Sequence, residues 1–443
     1  MKLSCVSTLG LVLIGTSIGV PGAAALNAPH PLHRARSTEP HLVEPHRASS
    51  HRAEAHAARP ASRFAAQPGA ATAHHKAKAA DDQQPARLTK RGQARASLRR
   101  ASLISSRRHR FNERFTASSF ANGDIFADDV TAGEDPVVRQ SAIDALDGMN
   151  GTAVVIDPSN GRILAMVNQK LALSPGAEPC STIKITVAMA ALSEGLVTRD
   201  TPVQLSGFRM NMTEALAHSN NLYFEELGRE LGFERVRHYA NQFGLGELAG
   251  YHIQGEQLGI YPDKELPASE GGVGRMCSFG QGVSLTPLQL GAYVAAIANG
   301  GTLYYLQHPT TPEEAAKLEP KVKRTLDIAK YVPDLQDGMA GAVEYGTARR
   351  LRANFHELPV FGKTGTCSDK GTRFGWFASY SDSPQGSLVT VFFLEGGRPT
   401  FGPRAAELTG VFYKNLWDRN YFAGKNQQVA EVAPDASAPQ TQQ

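Results

Sequence analysis

Three short groups of residues carry types and spacings that suit nucleophilic chemistry. Ser181-Thr182-Ile183-Lys184 places a hydroxyl and an amine three residues apart, and such residues share one face of a helix. Ser219-Asn220-Asn221 places a second hydroxyl beside an amide, and Lys363-Thr364-Gly365-Thr366 adds a second amine and two more hydroxyls. A serine hydroxyl is a poor nucleophile until a base takes its proton. Lys184 can be that base only while neutral, and burial together with a second cation, Lys363, favours the neutral form. At a helix start, Ser181 would also have backbone N–H groups aimed at a developing oxyanion. Each group alone has a plainer reading. Ser181 suits a helix N-cap, as do Ser219 and Asn221, and Lys363-Thr364-Gly365 suits an edge strand with a glycine bulge. The plain reading fails for Lys184, because the eight residues after it carry no charge. The conjunction of all three groups in this order is what points to a serine acyl-transfer site.

The elements around them are legible. Residues 152–157 and 162–168 are β-rich apolar runs separated by Pro158-Ser159-Asn160-Gly161, which predicts a hairpin. Ile183 to Leu196 reads as a helix apolar on all sides, and so as a buried one. Asn221 to Leu231 and Pro287 to Ala298 are two further helices, the second stopped by Asn299-Gly300-Gly301. Val360–Lys363, Phe374–Tyr380 and Leu388–Leu394 are strands, and Ala405 to Trp417 is a closing helix. Strands at both ends around a helical middle predict an α/β fold of the α+β type. It consists of one antiparallel sheet of about five strands flanked by helices.

The rest of the chain differs in kind. Of the 443 residues, 27–120 carry 18 Lys and Arg against 6 Asp and Glu, a net +12, whereas residues 121–443 carry 27 against 36, a net −9. The basic segment has too few large apolar residues to offset its chain entropy, which excludes an ordinary globular domain there and predicts a disordered tail. Its end, from Ala94 to Phe120 with Arg99-Arg100 and Arg107-Arg108, has the composition of either a solvated linker or a basic helix on an anionic surface. Residues 1–25 read as a secretory signal, with Lys2, an apolar run from Leu9 to Val20 and Ala23-Ala24-Ala25. The alternative is a retained anchor. The expected location is therefore outside the cytoplasm, secreted or periplasmic, or held at the outer face of the inner membrane. Cys5 lies in the signal, and Cys180, Cys277 and Cys367 remain, enough for one disulfide and one thiol. The scattered His residues lack ligand spacing, so no metal is expected; nor are a cofactor or nucleic acid.

The region from about Asp124 to Phe422, which carries these motifs, resembles the penicillin-binding transpeptidase family of serine D,D-peptidases. The likeness includes Ala153 to Val167 (AVVIDPSNGRILAMV) and Glu178 to Lys184 (EPCSTIK), with Cys180 where the family usually has Gly. It extends to Gly280 to Leu290 (GQGVSLTPLQL), Gly346-Thr347-Ala348 and Phe361 to Thr366 (FGKTGT). Together with the signal and tails read from composition, the resemblance divides the chain into a signal at 1–25, a basic tail at 26–120, a transpeptidase domain at 121–424 and a polar tail at 425–443. It implies that Ser181 attacks a D-Ala-D-Ala peptide bond of a peptidoglycan stem peptide, with Lys184 as base. Ser219, helped by Lys363, passes the proton to the leaving D-alanine. Asn221 bonds the substrate amide, and Thr364, Gly365 and Thr366 receive the substrate. The N–H groups of Ser181 and Thr366 form the oxyanion hole, and β-lactams acylate Ser181. It also implies that the backbones at 181 and 366 lie close, so a Cys180–Cys367 disulfide is expected, as in some class A β-lactamases; two inert thiols are the alternative.

Two departures stand out. No pedestal or glycosyltransferase domain is recognisable before the domain, and Ser219 follows Ser181 by only 38 residues, a trimmed lobe. Three other functions compete. A D,D-carboxypeptidase shares every motif. A serine β-lactamase would need a water-activating group, and no class A-type E-x-x-L-N loop is found, while Asn221 is polar where class D enzymes are apolar. A β-lactam sensor or peptidoglycan-binding module keeps the same residues but needs a membrane signalling part. Anionic membrane or cell-wall polymer is the expected partner of the basic tail.

Overall fold

The structure, a computed structural model, describes residues 114–383 and 386–423. The expected signal, most of the basic tail, the Ala94 to Glu113 part of the possible basic helix and the polar C-terminal tail lie outside the described residues.

The described chain runs α1 (Pro136–Leu146), β1 (Gly151–Ile156), β2 (Ile163–Val167), α2 (Gln169–Ala172), a 3-10 turn (Cys180–Ile183), α3 (Lys184–Ser193), β3 (Val203–Leu205), β4 (Phe208–Met210), α4 (Met212–Ala217), α5 (Asn221–Leu231) and α6 (Phe233–Gln242). It continues through α7 (Gly272–Phe279), α8 (Pro287–Ala298), β5 (Thr302–Tyr304), α9 (Pro312–Ala316), β6 (Val322–Thr325), α10 (Val332–Glu344), β7 (Val360–Asp369), β8 (Thr372–Ser381), β9 (Leu388–Gly396) and α11 (Gly402–Asp418). Five strands form the main sheet in the order β2-β1-β9-β8-β7, each pair antiparallel. β3 with β4, and β5 with β6, are separate ribbons.

Alternation along the strands divides the core in two. Val154, Ile156, Trp376, Ala378, Val391 and Phe393 face the helical lobe of α3, α5 and α8. Ala153, Val155, Phe377, Phe392 and Leu394 face α1 and α11. Because both faces are covered, all six residues of β1 are buried, and that explains why the strands read as continuous apolar runs. α3 is also buried on every side through Leu192. α8 begins at the expected residue, because Thr286 and Gln289 cap each other and Pro287 takes the first helical position.

The helix expected from Ile183 to Leu196 is shorter. Its first turn is the 3-10 turn, and it ends at Ser193, where Gly195 takes φ 65° and Leu196 N–H donates back to Ala191 O over 3.0 Å. The expected start of the domain at 121 falls after residues that already pack on it. Thr116 N–H donates to Gly371 O (2.9 Å) at the tip of the β7–β8 hairpin, and Asn150 N–H donates to Ser119 O (2.9 Å). The buried Ser119 hydroxyl accepts from Gly397 N–H and from Thr400 Oγ1, both at 2.8 Å. The segment from 114 to 120 is thus a strap across strand ends, and a helix does not form in it.

Candidate active site

The 3-10 turn and the first turn of α3 carry Ser181 and Lys184 side by side: Lys184 Nζ lies 2.9 Å from Ser181 Oγ. Lys184 Nζ also donates to Ser219 O (3.0 Å) and Asn221 Oδ1 (2.7 Å), and lies 3.1 Å from Ser219 Oγ. Ser219 sits on the bend between α4 and α5 with φ 55°, a conformation that costs a non-glycine residue about 1–3 kcal/mol. The cap of α5 is neither Ser219 nor Asn221. Asn220 holds that position, accepting from Tyr223 N–H at 3.0 Å, which leaves both neighbours free to face Lys184.

The third group arrives on the edge strand β7. Lys363 is fully buried, and its Nζ donates to Ser219 Oγ (2.9 Å) and Thr364 O (3.0 Å). Lys363, Gly365 and Cys367 lie on the strand face toward the Ser181 turn. A side chain at Gly365 would come within 2.8 Å of Pro179 O, so glycine is what lets strand and turn touch. Cys180, at φ 53°, is disulfide-bonded to Cys367, with Cα atoms 5.5 Å apart. Trp376 Nε1 on β8 donates to Glu178 O (3.0 Å), tying the same turn to the sheet. Cys277 stays a buried thiol.

Thr364 and Thr366 point from the opposite face of β7. Thr364 Oγ1 donates to Thr347 Oγ1 (2.7 Å), and Thr366 Oγ1 accepts from Gly402 N–H (2.8 Å). Thr347 is held in place by Thr347 N–H donating to Ala217 O at 3.1 Å. Its residue triplet is visible in the sequence, but only the fold brings its hydroxyl to Thr364. Asn220 was likewise legible only as part of a motif.

Burial and the charge of Lys363 push the Lys184 amine well below the ordinary lysine range, against a weaker upward pull from Glu225. Burial lowers Lys363 to about 7. Neutral Lys184 has two N–H groups and one lone pair. Ser219 O and Asn221 Oδ1 are pure acceptors and take the two N–H groups, so the lone pair is left for the Ser181 hydroxyl proton. Among the described residues, no carboxylate hydrogen-bonds Ser181 or Lys184. The arrangement can therefore accept the proton of a serine hydroxyl.

A sequence model described as the penicillin binding protein transpeptidase domain matches residues 151–409. Stage V sporulation protein D of Bacillus subtilis is 32% identical over 317 residues, a match covering 60% of this chain and 48% of that protein. The peptidoglycan D,D-transpeptidase FtsI of Escherichia coli is 27% identical over 291 residues, 58% of this chain and 46% of that one. The chain spans about half the length of these curated relatives. Among solved structures, Pseudomonas aeruginosa PBP2 in complex with WCK 5153 aligns with a TM-score of 0.55 at 22% identity, over 65% of this chain and 77% of that one, a likeness of fold.

Proposed function

This chain belongs to the penicillin-binding protein transpeptidase family, and on that premise we propose that it is a serine D,D-transpeptidase acting on D-Ala-D-Ala stem peptides of peptidoglycan. Ser181 Oγ attacks the penultimate carbonyl as its proton passes to Lys184 Nζ. The backbone N–H groups of Ser181 and Thr366 receive the oxyanion. As the C–N bond breaks, the proton reaches the leaving D-alanine amine through Ser219 Oγ, which Lys363 holds. The acyl group on Ser181 is then released to an amine of a second stem peptide, and Ser181 regains its proton. Asn221, whose Oδ1 is engaged by Lys184, presents its remaining N–H groups to the substrate amide. The same site would be acylated by β-lactams, and the domain would work outside the cytoplasm, where the leader and the basic tail would place it.

The observation that carries this reading is the contact between Lys184 Nζ and Ser181 Oγ at 2.9 Å, with the amine's charge suppressed by burial. Intact-mass spectrometry after exposure to benzylpenicillin tests it. One adduct on Ser181 is expected, absent in Ser181→Ala and stable for minutes, since among the described residues no carboxylate hydrogen-bonds Ser181 or Lys184. An adduct of equal yield in Ser181→Ala would sink the assignment, and fast sustained hydrolysis of a chromogenic cephalosporin would mark the chain as a β-lactamase instead.

A further inference from the structure

Three charged side chains gather beside the Ser181 turn, and the acyl-transfer chemistry uses none of them. Burial first, and then the charge of Asp369, raise the half-buried Glu178 carboxyl, and Arg275 lowers it again, so the three groups neighbour one another. The Cys180–Cys367 disulfide ties the Glu178 turn to the stretch of β7 that ends at Asp369. Arg275, on α7, is half-buried, with its guanidinium 3.9 Å from the centroid of the Phe279 ring and its Nε donating to Gln281 Oε1 (3.3 Å). Among the described residues it forms no ion pair with a carboxylate, and the Glu178 carboxylate accepts no hydrogen bond. Asp369 has only its exposed neighbour Lys370, at 3.7 Å, a weak pair. An arginine fixed on an aromatic face but left without an acid is preorganised for one carboxylate. The two acids beside it suit one ammonium. A group bearing both charges on one carbon fills both halves, whereas a bare ammonium leaves Arg275 unpaired and a bare carboxylate meets two acids.

We infer that Glu178, Asp369 and Arg275 form a subsite for the side chain of the stem-peptide residue preceding D-Ala-D-Ala, and that it selects side chains ending in a free α-amino acid over those ending in a simple amine. The inference rests on the function proposed above and narrows its substrate class. β7 is an edge strand of the main sheet, and an extended peptide can pair along such an edge. With the substrate's terminal carboxylate at Lys363 and its reacting carbonyl at Ser181 and Thr366, its N-terminal side runs on past Thr366 toward Cys367 and Asp369. Asp369 continues the alternation of Lys363, Gly365 and Cys367 on the face toward the Ser181 turn. It lies about 10 Å beyond Thr366 at the usual strand rise, within reach of the end of one long side chain.

Penicillins carry the test, because their acylamino side chain stands where that residue would. The full chain is acylated by three penicillins that differ only at the side-chain end: D-α-aminopimeloyl, with amine and acid; 6-aminohexanoyl, with the amine alone; and pimeloyl, with the acid alone. Second-order acylation rates are read by intact mass, each divided by the benzylpenicillin rate of the same protein. The wild type should favour the aminopimeloyl compound over each of the others by roughly 10-fold. Arg275→Gln should bring the aminopimeloyl-to-aminohexanoyl ratio close to unity, and Arg275→Lys should restore part of it. Glu178→Gln should narrow the aminopimeloyl-to-pimeloyl ratio. Equal rates for the three compounds in the wild type, or an unchanged ratio in Arg275→Gln, overturn the subsite while leaving Ser181 in its role. A wild type that benzylpenicillin does not acylate overturns the proposed function and this inference together.

Discussion

Two buried lysines face one serine hydroxyl, since Lys184 and Lys363 each lie within 3.1 Å of Ser219 Oγ. Their closeness has a kinetic consequence. Acylation needs Lys184 neutral, so its rate should rise with pH as that amine loses its proton. A substrate carboxylate needs Lys363 charged, and burial lowers that amine to about 7, so the rate should fall again as pH rises beyond it. The expected profile for benzylpenicillin acylation is a bell whose apparent pKa values belong to the coupled pair. Stopped-flow acylation from pH 5 to 10 measures it, and Lys184→Arg, which cannot be deprotonated, should slow the reaction at least about 100-fold. A flat profile would remove Lys184 from the base role. At this scale the sequence was most informative, because the spacing of Ser181 and Lys184 and the uncharged run after them follow directly from residue types. The contribution of Asn220 was not legible: serine and asparagine both suit a cap, and only the path of the bend from α4 shows which residue takes it.

Among the elements, the junction of the 3-10 turn with β7 matters most. A strained Cys180, a glycine at 365 and a disulfide hold the Ser181 turn against the strand. The cross-link should preserve this approach, so reduction with a phosphine should slow acylation several-fold, with Cys367→Ser reproducing the effect and Cys277→Ser leaving acylation sensitive to the reductant. Peptide mapping under non-reducing conditions reports the bond itself; two alkylatable thiols at 180 and 367 would end the idea. The strands and the two all-apolar helices were legible because burial on both sides removes polar positions. α10 was missed for a related reason. Gly338 and Gly341 lie inside it, where a side chain would come within 2.6 Å of Leu216 and 3.0 Å of Ala217 on α4. Glycine weakens the helix signal in the sequence, yet it lets α10 approach α4 closely enough to set Thr347 beside Thr364.

For the molecule as a whole, the buried lysines reduce stability. Lys363 titrates at about 7 when folded against an ordinary 10.5. Between these values the unfolded chain binds more protons, so stability rises with pH from about 7 to 10.5, and the full penalty stands below about 7. Lys363→Met should therefore melt higher than the wild type near pH 6, by on the order of 5 °C, with the gap closing toward pH 10, while losing acylation. A gap independent of pH would mean that Lys363 carries no such penalty. The tail adds a second whole-chain expectation. Its +12 charge over residues 27–120 should give the full chain salt-sensitive binding to anionic vesicles or to sacculi, screened within about 8 Å at physiological salt. A chain beginning at residue 114 should lose that binding and keep its reaction with penicillin. Equal binding by both would reduce the tail to a spacer.

The strap gives that attachment a mechanical side. Thr116 is hydrogen-bonded to Gly371, at the tip of the hairpin whose first strand carries Lys363 to Thr366. Phe115, Arg373, Phe401 and Arg350 then stack in sequence, at 5.8, 5.5 and 5.0 Å, down to the wall of the cavity beside Thr347. Tension applied through the residues before Arg114 would meet the β7–β8 tip at Thr116 first, and the buried Ser119 with its partners Gly397 and Thr400 next. If the wall holds the tail while the glycan is stretched, the force on the anchor and the placement of the Lys363–Thr366 backbone would share one lever.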